Sequence, residues 1–433
     1  MLQLAIKEDL LHYIWQLKRF DQLDLKTTDG DLIEIIHFGY PNIDAGPDFL
    51  EATIKRNGTL WYGQVEIHVK SSDWMAHQHQ TDPRYNNVIL HVVYEADQEI
   101  LDHNQQVIPC LILKNRIDPN IIKKYHQLQA STYIIPCEKL LPLINNDRIP
   151  ILLESLLARR LEERSKVHQT ILEALNGDWE AMFYRLLSRA MGLRVNGEAF
   201  EKLTSILPLQ LLQKNRENIV QLEALLFGQA GFLLAEHQDS YTQSISREYQ
   251  FLQKKYRLKA MDSIHWKFSR MRPSAFPSIR IAQLAAIYHE HTSLFNKVKE
   301  ANDITDISRL FNVSASKYWN THYRLGVPSP KESKKSLGRA KIEVLLINAV
   351  VPILFLFGKL YNEYAYCEKA IHFMSQISPE LNHLTRQMAT LGFPNQHAGH
   401  SQALIELKKN FCQAKRCLSC SIGHQILNLK PSI

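Results

Sequence analysis

The pattern of apolar residues changes once along this chain, and that change restricts what it can fold into. Between residues 30 and 115 the apolar positions are short runs rich in β-branched and aromatic residues: Leu32-Ile33-Glu34-Ile35-Ile36, Phe49 to Lys55, Leu60 to Lys70 and Val88 to Tyr94. Asn57-Gly58 separates the second run from the third and is a strong hairpin signal. Ile100 to Ile112 is expected to add a last hairpin, and the polar stretch 73–86 a short helix or an ordered loop. An amphipathic helix is expected before them, over 5–19, from Leu10, Leu11, Ile14, Trp15 and Leu17. From about Pro119 onward apolar residues recur every three or four positions. The expected helices there are 151–174, 179–191, 197–205, 208–213, 217–236, 243–254, 279–300, 339–359, 363–375, 379–390 and 401–411. The chain therefore reads as α+β: a small α/β domain with a mixed sheet over 1–118, then a large all-helical domain over 119–433.

Composition excludes several alternatives. Of 433 residues, 45% are hydrophobic and 22% charged, which is globular rather than disordered. Gly (16) and Pro (17) are too scarce for collagen-like or low-complexity chains. The longest apolar stretch, Val344 to Phe357, contains Asn348 and Pro352 and falls short of the ~20 residues that span a bilayer, so it is expected to be a buried helix. Charges at Lys7, Glu8 and Asp9 interrupt any signal-peptide core. The expected setting is cytoplasmic, with no membrane partner and with six cysteines free or metal-bound. A net charge of +7 is compatible with a polyanionic partner.

The richest stretch is Asp44-Ala45-Gly46-Pro47-Asp48-Phe49 followed by Gly63-Gln64-Val65-Glu66-Ile67-His68-Val69-Lys70. On a strand alternate side chains share a face, so Gln64, Glu66, His68 and Lys70 project together. Asp48 and Glu66 are hard oxygen donors suited to Mg²⁺ or Mn²⁺. Such an ion polarises a phosphodiester and lowers the pKa of a bound water, and a nearby Lys or His can orient that water. A second pattern, His77-x-His79-x-x-Asp82 with Asp73 and His91 nearby, has zinc-ligand chemistry and is expected to line the same cleft. The bland alternative is a solvated sheet face with turn residues at Gly46-Pro47.

An Asp ending a loop, a hairpin and then Glu-x-Lys on the next strand is the arrangement of the PD-(D/E)XK nuclease superfamily. The sequence resembles it at Pro47-Asp48 and Glu66-x-His68, with His68 where lysine is expected and Lys70 two residues on. That resemblance implies a restriction-endonuclease-like domain and a catalytic set of Asp48, Glu66, His68 or Lys70, supported by Gln64 and the helical acid Glu8. The phrases around Asp44–Phe49, Val65–Trp74 and Asn87–Tyr94, with Ile135-Pro136-Cys137, also resemble an uncharacterised bacterial family, domain of unknown function 2851, over essentially the whole chain. That family implies no activity.

Cys412, Cys417 and Cys420 place three of the six thiols within nine residues, and His424 follows. Thiolates select zinc or iron–sulfur clusters. His424 would complete a local zinc site; Cys137, Cys110 or Cys367 could instead complete a four-cysteine site. Several DNA-repair nucleases of the PD-(D/E)XK type hold an iron–sulfur cluster with one cysteine distant from three clustered ones, which by resemblance favours Cys137. Basic residues at Lys331, Lys334, Lys335, Arg339, Lys341, Lys408, Lys409, Lys415, Arg416, Arg270, Arg272 and Arg280 could meet phosphates or simply be solvated. No Gly-x-x-x-x-Gly-Lys loop is present, so no nucleotide-driven motor is expected. The function expected is a metal-dependent nuclease or nuclease-like protein acting on nucleic acid; the alternative is a non-catalytic nucleic-acid-binding or scaffold protein on a degenerate nuclease fold.

Overall fold

Residues 6–234 and 239–429 are described by a computed structural model. Helix α1 (Glu8–Gln16) is amphipathic: Leu10, Leu11, Ile14 and Trp15 are fully buried. Glu8 and His12, one turn apart, share a second, half-buried edge. The expected start at residue 5 lies outside the described residues.

Six strands form one mixed sheet: β1 (Ile33–His37), β2 (Tyr40–Pro41), β3 (Phe49–Arg56), β4 (Thr59–Lys70), β5 (Val88–Glu95) and β6 (Cys110–Ile112). Their order is β1-β3-β4-β5-β6, with β2 on β3. The pairs β1–β3 and β3–β4 are antiparallel, whereas β4–β5 and β5–β6 are parallel. Asn57 (φ 47°) and Gly58 (φ 87°) both take the left-handed conformation that a two-residue hairpin turn demands. The parallel step from β4 to β5 needs a crossover. It is made by α2 (Asp73–Ala76) and two single 3₁₀ turns, His79–Thr81 and Pro83–Tyr85. Its first turn is fastened by Asp97, which accepts from the Ser72 backbone N–H at 3.0 Å, and its body by Trp74, buried with Ile100 and Ile108. The hairpin expected over Ile100–Ile112 is a single bridge, Leu101 to Val107, after which the chain runs parallel to β5 as β6.

The chain divides into two units, Met1–Arg148 with Leu407–Ile433, and Ile149–Glu406. This differs from a division at 118/119. Helix α3 (Pro119–Ala130) belongs with the sheet: Tyr125 donates to Asp9 Oδ1 at 2.8 Å, and Gln129 donates to the Lys415 carbonyl at 3.1 Å. The closing segment therefore returns to the first unit.

The second unit is helical, built on α4 (Ile149–Ala174) and α5 (Trp179–Ile206). Helix α5 is interrupted at Leu193 (φ 53°, ψ −153°), between the two helices expected at 179–191 and 197–205. The helix expected over 217–236 runs Ile219–Gln229, and positions 235–236 lie outside the described residues. The helix expected over 279–300 is two, Pro277–Glu290 and Leu294–Glu300, broken at Ser293 (φ 49°). The apolar run falls in a 23-residue stretch, Arg339–Tyr361, that is long and apolar enough to cross a membrane but is mostly buried in the fold. Its middle, Leu346–Val350, is a π-helical turn.

Lys341 is buried in this unit, its Nζ donating to the Met191 carbonyl at 3.3 Å. Burial, with Arg280 nearby, brings its pKa down to about 6. Between about pH 6 and the ordinary lysine value the unfolded chain holds the extra proton, so this group's contribution to stability falls as pH falls through that window. Lys341→Met is predicted to raise stability by at least about 1 kcal/mol near neutral pH. The gain, read from urea melts between pH 6 and 10, shrinks as pH rises; a gain independent of pH would refute the assignment.

Candidate functional site

Strand β4 buries Val65 and Ile67 fully on one face and carries Glu66 and His68, 4% and 1% exposed, on the other. Two buried ionisable groups in succession on a strand are costly unless each has partners. Here the partners come from four other segments, the last of them β5.

The first is the loop before β3. Asn42 holds it by donating to the Pro47 carbonyl at 3.0 Å, and Gly46 turns with φ +126°. Asp48 is thereby set against β4 from both ends. Its backbone N–H donates to Glu66 Oε2 at 3.1 Å, and its Oδ2 accepts from the Ile67 N–H at 2.9 Å. The second segment is α1: His12 Nε2 lies 3.2 Å from Asp48 Oδ2, and Glu8 Oε1 lies 3.9 Å from His68 Nε2. The third is the crossover, which brings His77 and His79 over β4. His68 Nε2 is 3.1 Å from His77 Nδ1, and His79 Nε2 is 3.2 Å from Glu66 Oε1. His68 Nε2 is itself 3.5 Å from that oxygen. The donor atoms of His68, His77 and His79 all lie within 4.8 Å of one another.

The rings are held rather than hung. Tyr85 stacks on His79 with centroids 3.8 Å apart, and Trp74 meets His79 edge-on at 5.4 Å. His91, fully buried on β5, shares a hydrogen bond of 2.9 Å between its Nε2 and His68 Nδ1. That contact leaves His68 Nε2 directed at the cluster. His79 Nε2 and His91 Nδ1 are buried without an aligned hydrogen-bond partner.

Electrostatics follow from the crowding. Burial, then the Asp48 and Glu8 carboxylates, pushes Glu66 up to about 9. Burial and the neighbouring imidazoles of His91, His79 and His77 bring His68 down to about 2. Burial is also the main reason His91 falls to about 3. Burial opposes a charged His12, but the Asp48 and Glu8 carboxylates outweigh it and raise its pKa. Burial thus favours the neutral form of His68, His79 and His91 beside three crowded acids.

Of the residues expected from sequence, Asp48, Glu66, His68 and Glu8 meet here, and His77, His79 and His91 join them. Lys70 does not: it sits at the exposed end of β4, its backbone N–H donating to Asp73 Oδ2, and among the described residues nothing pairs with its ammonium. Gln64 instead lines a groove with Thr53, Tyr62 and Asn87. Asp82 caps the second 3₁₀ turn and chelates Arg84 rather than facing the cluster. His12 was not foreseen; its spacing of four from Glu8 was the available signal.

A second constellation lies in the same unit. Cys137, Cys412, Cys417 and Cys420 line one narrow cleft with Pro136, Phe411 and Gly423. Gly423 lets the last helix, Ser421–Leu427, begin directly against the Cys417 carbonyl, where any Cβ would collide. Burial, then Cys420 and Cys417, pushes the Cys412 thiol up to about 12, and burial with Cys412 as neighbour raises Cys137 as well. His424 points elsewhere, its Nδ1 2.9 Å from the Tyr13 hydroxyl. Cys367 is in the other unit, 3.5 Å from the Phe355 carbonyl, and Cys110 is in β6.

No curated protein and no solved structure matches the chain. A family model described as protein of unknown function (DUF2851) matches residues 8–383, and the chain belongs to that family.

Proposed function

We propose that this protein is a metal-dependent hydrolase that cleaves phosphodiester bonds in nucleic acid. The observation that carries the reading is the close grouping of ring nitrogens from His68, His77 and His79, two of which, His68 and His79, also meet Glu66 Oε1, beside Asp48 and Glu8. Three imidazoles and a carboxylate suit Mn²⁺ or Zn²⁺ better than Mg²⁺, which prefers oxygen and water. The buried, unaligned Nε2 of His79 supports the fit. When bound, such an ion polarises the phosphodiester and makes a water nucleophilic near neutral pH.

The chain's own groups have separable tasks. Glu66 is fixed through Oε2 by the Asp48 N–H, so Oε1 is the oxygen free to ligate. His91 orients His68 from behind, a role whose loss typically weakens metal sites 10–100-fold. His12, held by Asp48, can keep a proton at Nε2 for a leaving oxygen. His77, exposed, lies on the solvent side where a substrate would enter. Asp48, immediately before β3, beside Glu66 on the antiparallel β4 supports the nuclease resemblance, with His68 in place of lysine.

With Mn²⁺ and single-stranded or duplex DNA and RNA as substrates, Glu66→Gln and His68→Ala are predicted to lower cleavage at least ~100-fold. Lys70→Ala is predicted to stay near wild type. Equal cleavage by all variants would mean a contaminant. Metal and nucleic-acid binding without cleavage would favour the non-catalytic scaffold.

We further infer that Cys137, Cys412, Cys417 and Cys420 hold an iron–sulfur cluster. A tetrahedral zinc with ~2.3 Å bonds draws its four sulfurs to within about 4 Å of one another. The four cysteines line one cleft, three contributed by the closing segment and one by the distant Cys137, which is the donor set of a four-cysteine cluster. Six free cysteines suit a reducing cytoplasm, which we propose as the setting. Anaerobically purified protein is predicted to be brown, with about four iron and four sulfide per chain, and Cys417→Ser to lose both. Colourless protein with one zinc or no metal would refute the cluster.

A further inference from the structure

The helical unit contains a cavity of about 210 Å³ lined by Arg164, His168, Leu186, Arg189, Ala190, Leu193, Arg194, Val344 and Asn348. It lies between α4, α5 and the π-helical turn. Three guanidinium groups and an imidazole line it, and no acid does.

The basic groups around it are unevenly paired. Arg160, one turn before Arg164, donates to Gln402 Oε1 at 2.7 Å and lies 3.4 Å from Glu406. Arg185 and Arg189 both pair with Glu201. Arg164, by contrast, has one long hydrogen bond, 3.3 Å to the Asn348 carbonyl. Among the described residues no carboxylate lies within 4.0 Å of Arg164 or Arg194. His168 Nδ1 is buried with no partner. Glu380 acts on Arg164 only from beyond pairing distance, so this half-buried guanidinium has no paired carboxylate, the place an anionic ligand would take.

The backbone is unusual at the same place. Leu193, on the lining, has φ 53° and ψ −153°, a region nearly restricted to glycine, although the residue before it is one. Asn348, on the facing wall, is the centre of the π-helical turn, whose register shift exposes a carbonyl to Arg164. Strain of this kind persists where the surroundings hold it, commonly at ligand clamps.

We propose that this cavity binds a phosphate group. Guanidinium forks match tetrahedral oxyanions, and several arriving from different directions suit the oxygens of a phosphate better than a planar carboxylate. Arg164 and His168, one turn apart on α4, form the half-buried wall. Arg189 and Arg194, exposed, form the rim through which a ligand enters. The site is in a different unit from the histidine cluster and does not depend on that cluster's chemistry.

The phosphate could be a free small anion or the end of a nucleic-acid strand, and titration calorimetry of the full chain distinguishes them. The probes are inorganic pyrophosphate and a short 5′-phosphorylated oligonucleotide beside its unphosphorylated twin. Saturable pyrophosphate binding that is lost at least tenfold in Arg164→Gln and kept in Arg309→Gln, an exposed arginine elsewhere in the unit, supports the site with a small-anion ligand. Binding confined to the phosphorylated oligonucleotide and lost in the same variant supports it with a strand end. Should Arg164→Gln not fold, Arg194→Gln on the rim serves in its place. No saturable binding of either probe, or equal binding by wild type and both arginine variants, overturns the proposal.

Discussion

Burying Glu66 and His68 side by side on β4 is the constraint around which the N-terminal unit is arranged. Neither group can be left alone in a low-dielectric interior. Each neighbouring element contributes something to that need. The loop before β3 gives the Asp48 N–H to Glu66, β5 gives His91 to His68, and the crossover gives His77 and His79. The accommodation is incomplete in a telling way. Glu66 is driven up to about 9 because burial and two neighbouring acids oppose its charge, and burial lowers the pKa of His68 and His79 beside it. A divalent cation is the partner that would resolve both at once, by pairing with the carboxylate and using the imidazole lone pairs.

The scaffold explains why the cluster can be built from segments so far apart in sequence. The parallel β4–β5 step forces a crossover directly over the β4 face, and a crossover of this length has few ways to run. Trp74 and Tyr85 then fix the direction of His79 by ring contact. In the same unit, the chain comes back after the whole helical region to place three cysteines beside Cys137. Both constellations therefore join short local runs to residues that chain return brings beside them.

That distinction also sets what could be read from the sequence. The order of elements was legible because it depends on local periodicity, and the Asn57-Gly58 turn because its chemistry is local. The break at Leu193 left a visible gap between two helical patterns. Glu66 and His68 followed from strand alternation. What alternation could not tell is how far the buried part of β4 extends, so Lys70 read as equivalent to His68 although it stands past the edge in solvent. Asp82 looked like a ligand by spacing, yet a turn beginning with Pro83 needed a cap and took it. His12 was hidden because helical periodicity in α1 was read for its apolar face. The return of Leu407–Ile433 to the first unit depends on tertiary packing with α3, which no local pattern encodes.

The central claim is that Glu66, His68, His77 and His79 bind one ion. It is tested most directly by anomalous diffraction from crystals grown with Mn²⁺, a metal that avoids thiolates and so separates this site from the cysteine cleft. The account predicts a single strong peak bonded to the three imidazoles and to Glu66 Oε1. An empty cluster, with the imidazoles still contacting one another and Glu66 while Mn²⁺ binds elsewhere or nowhere, would contradict it.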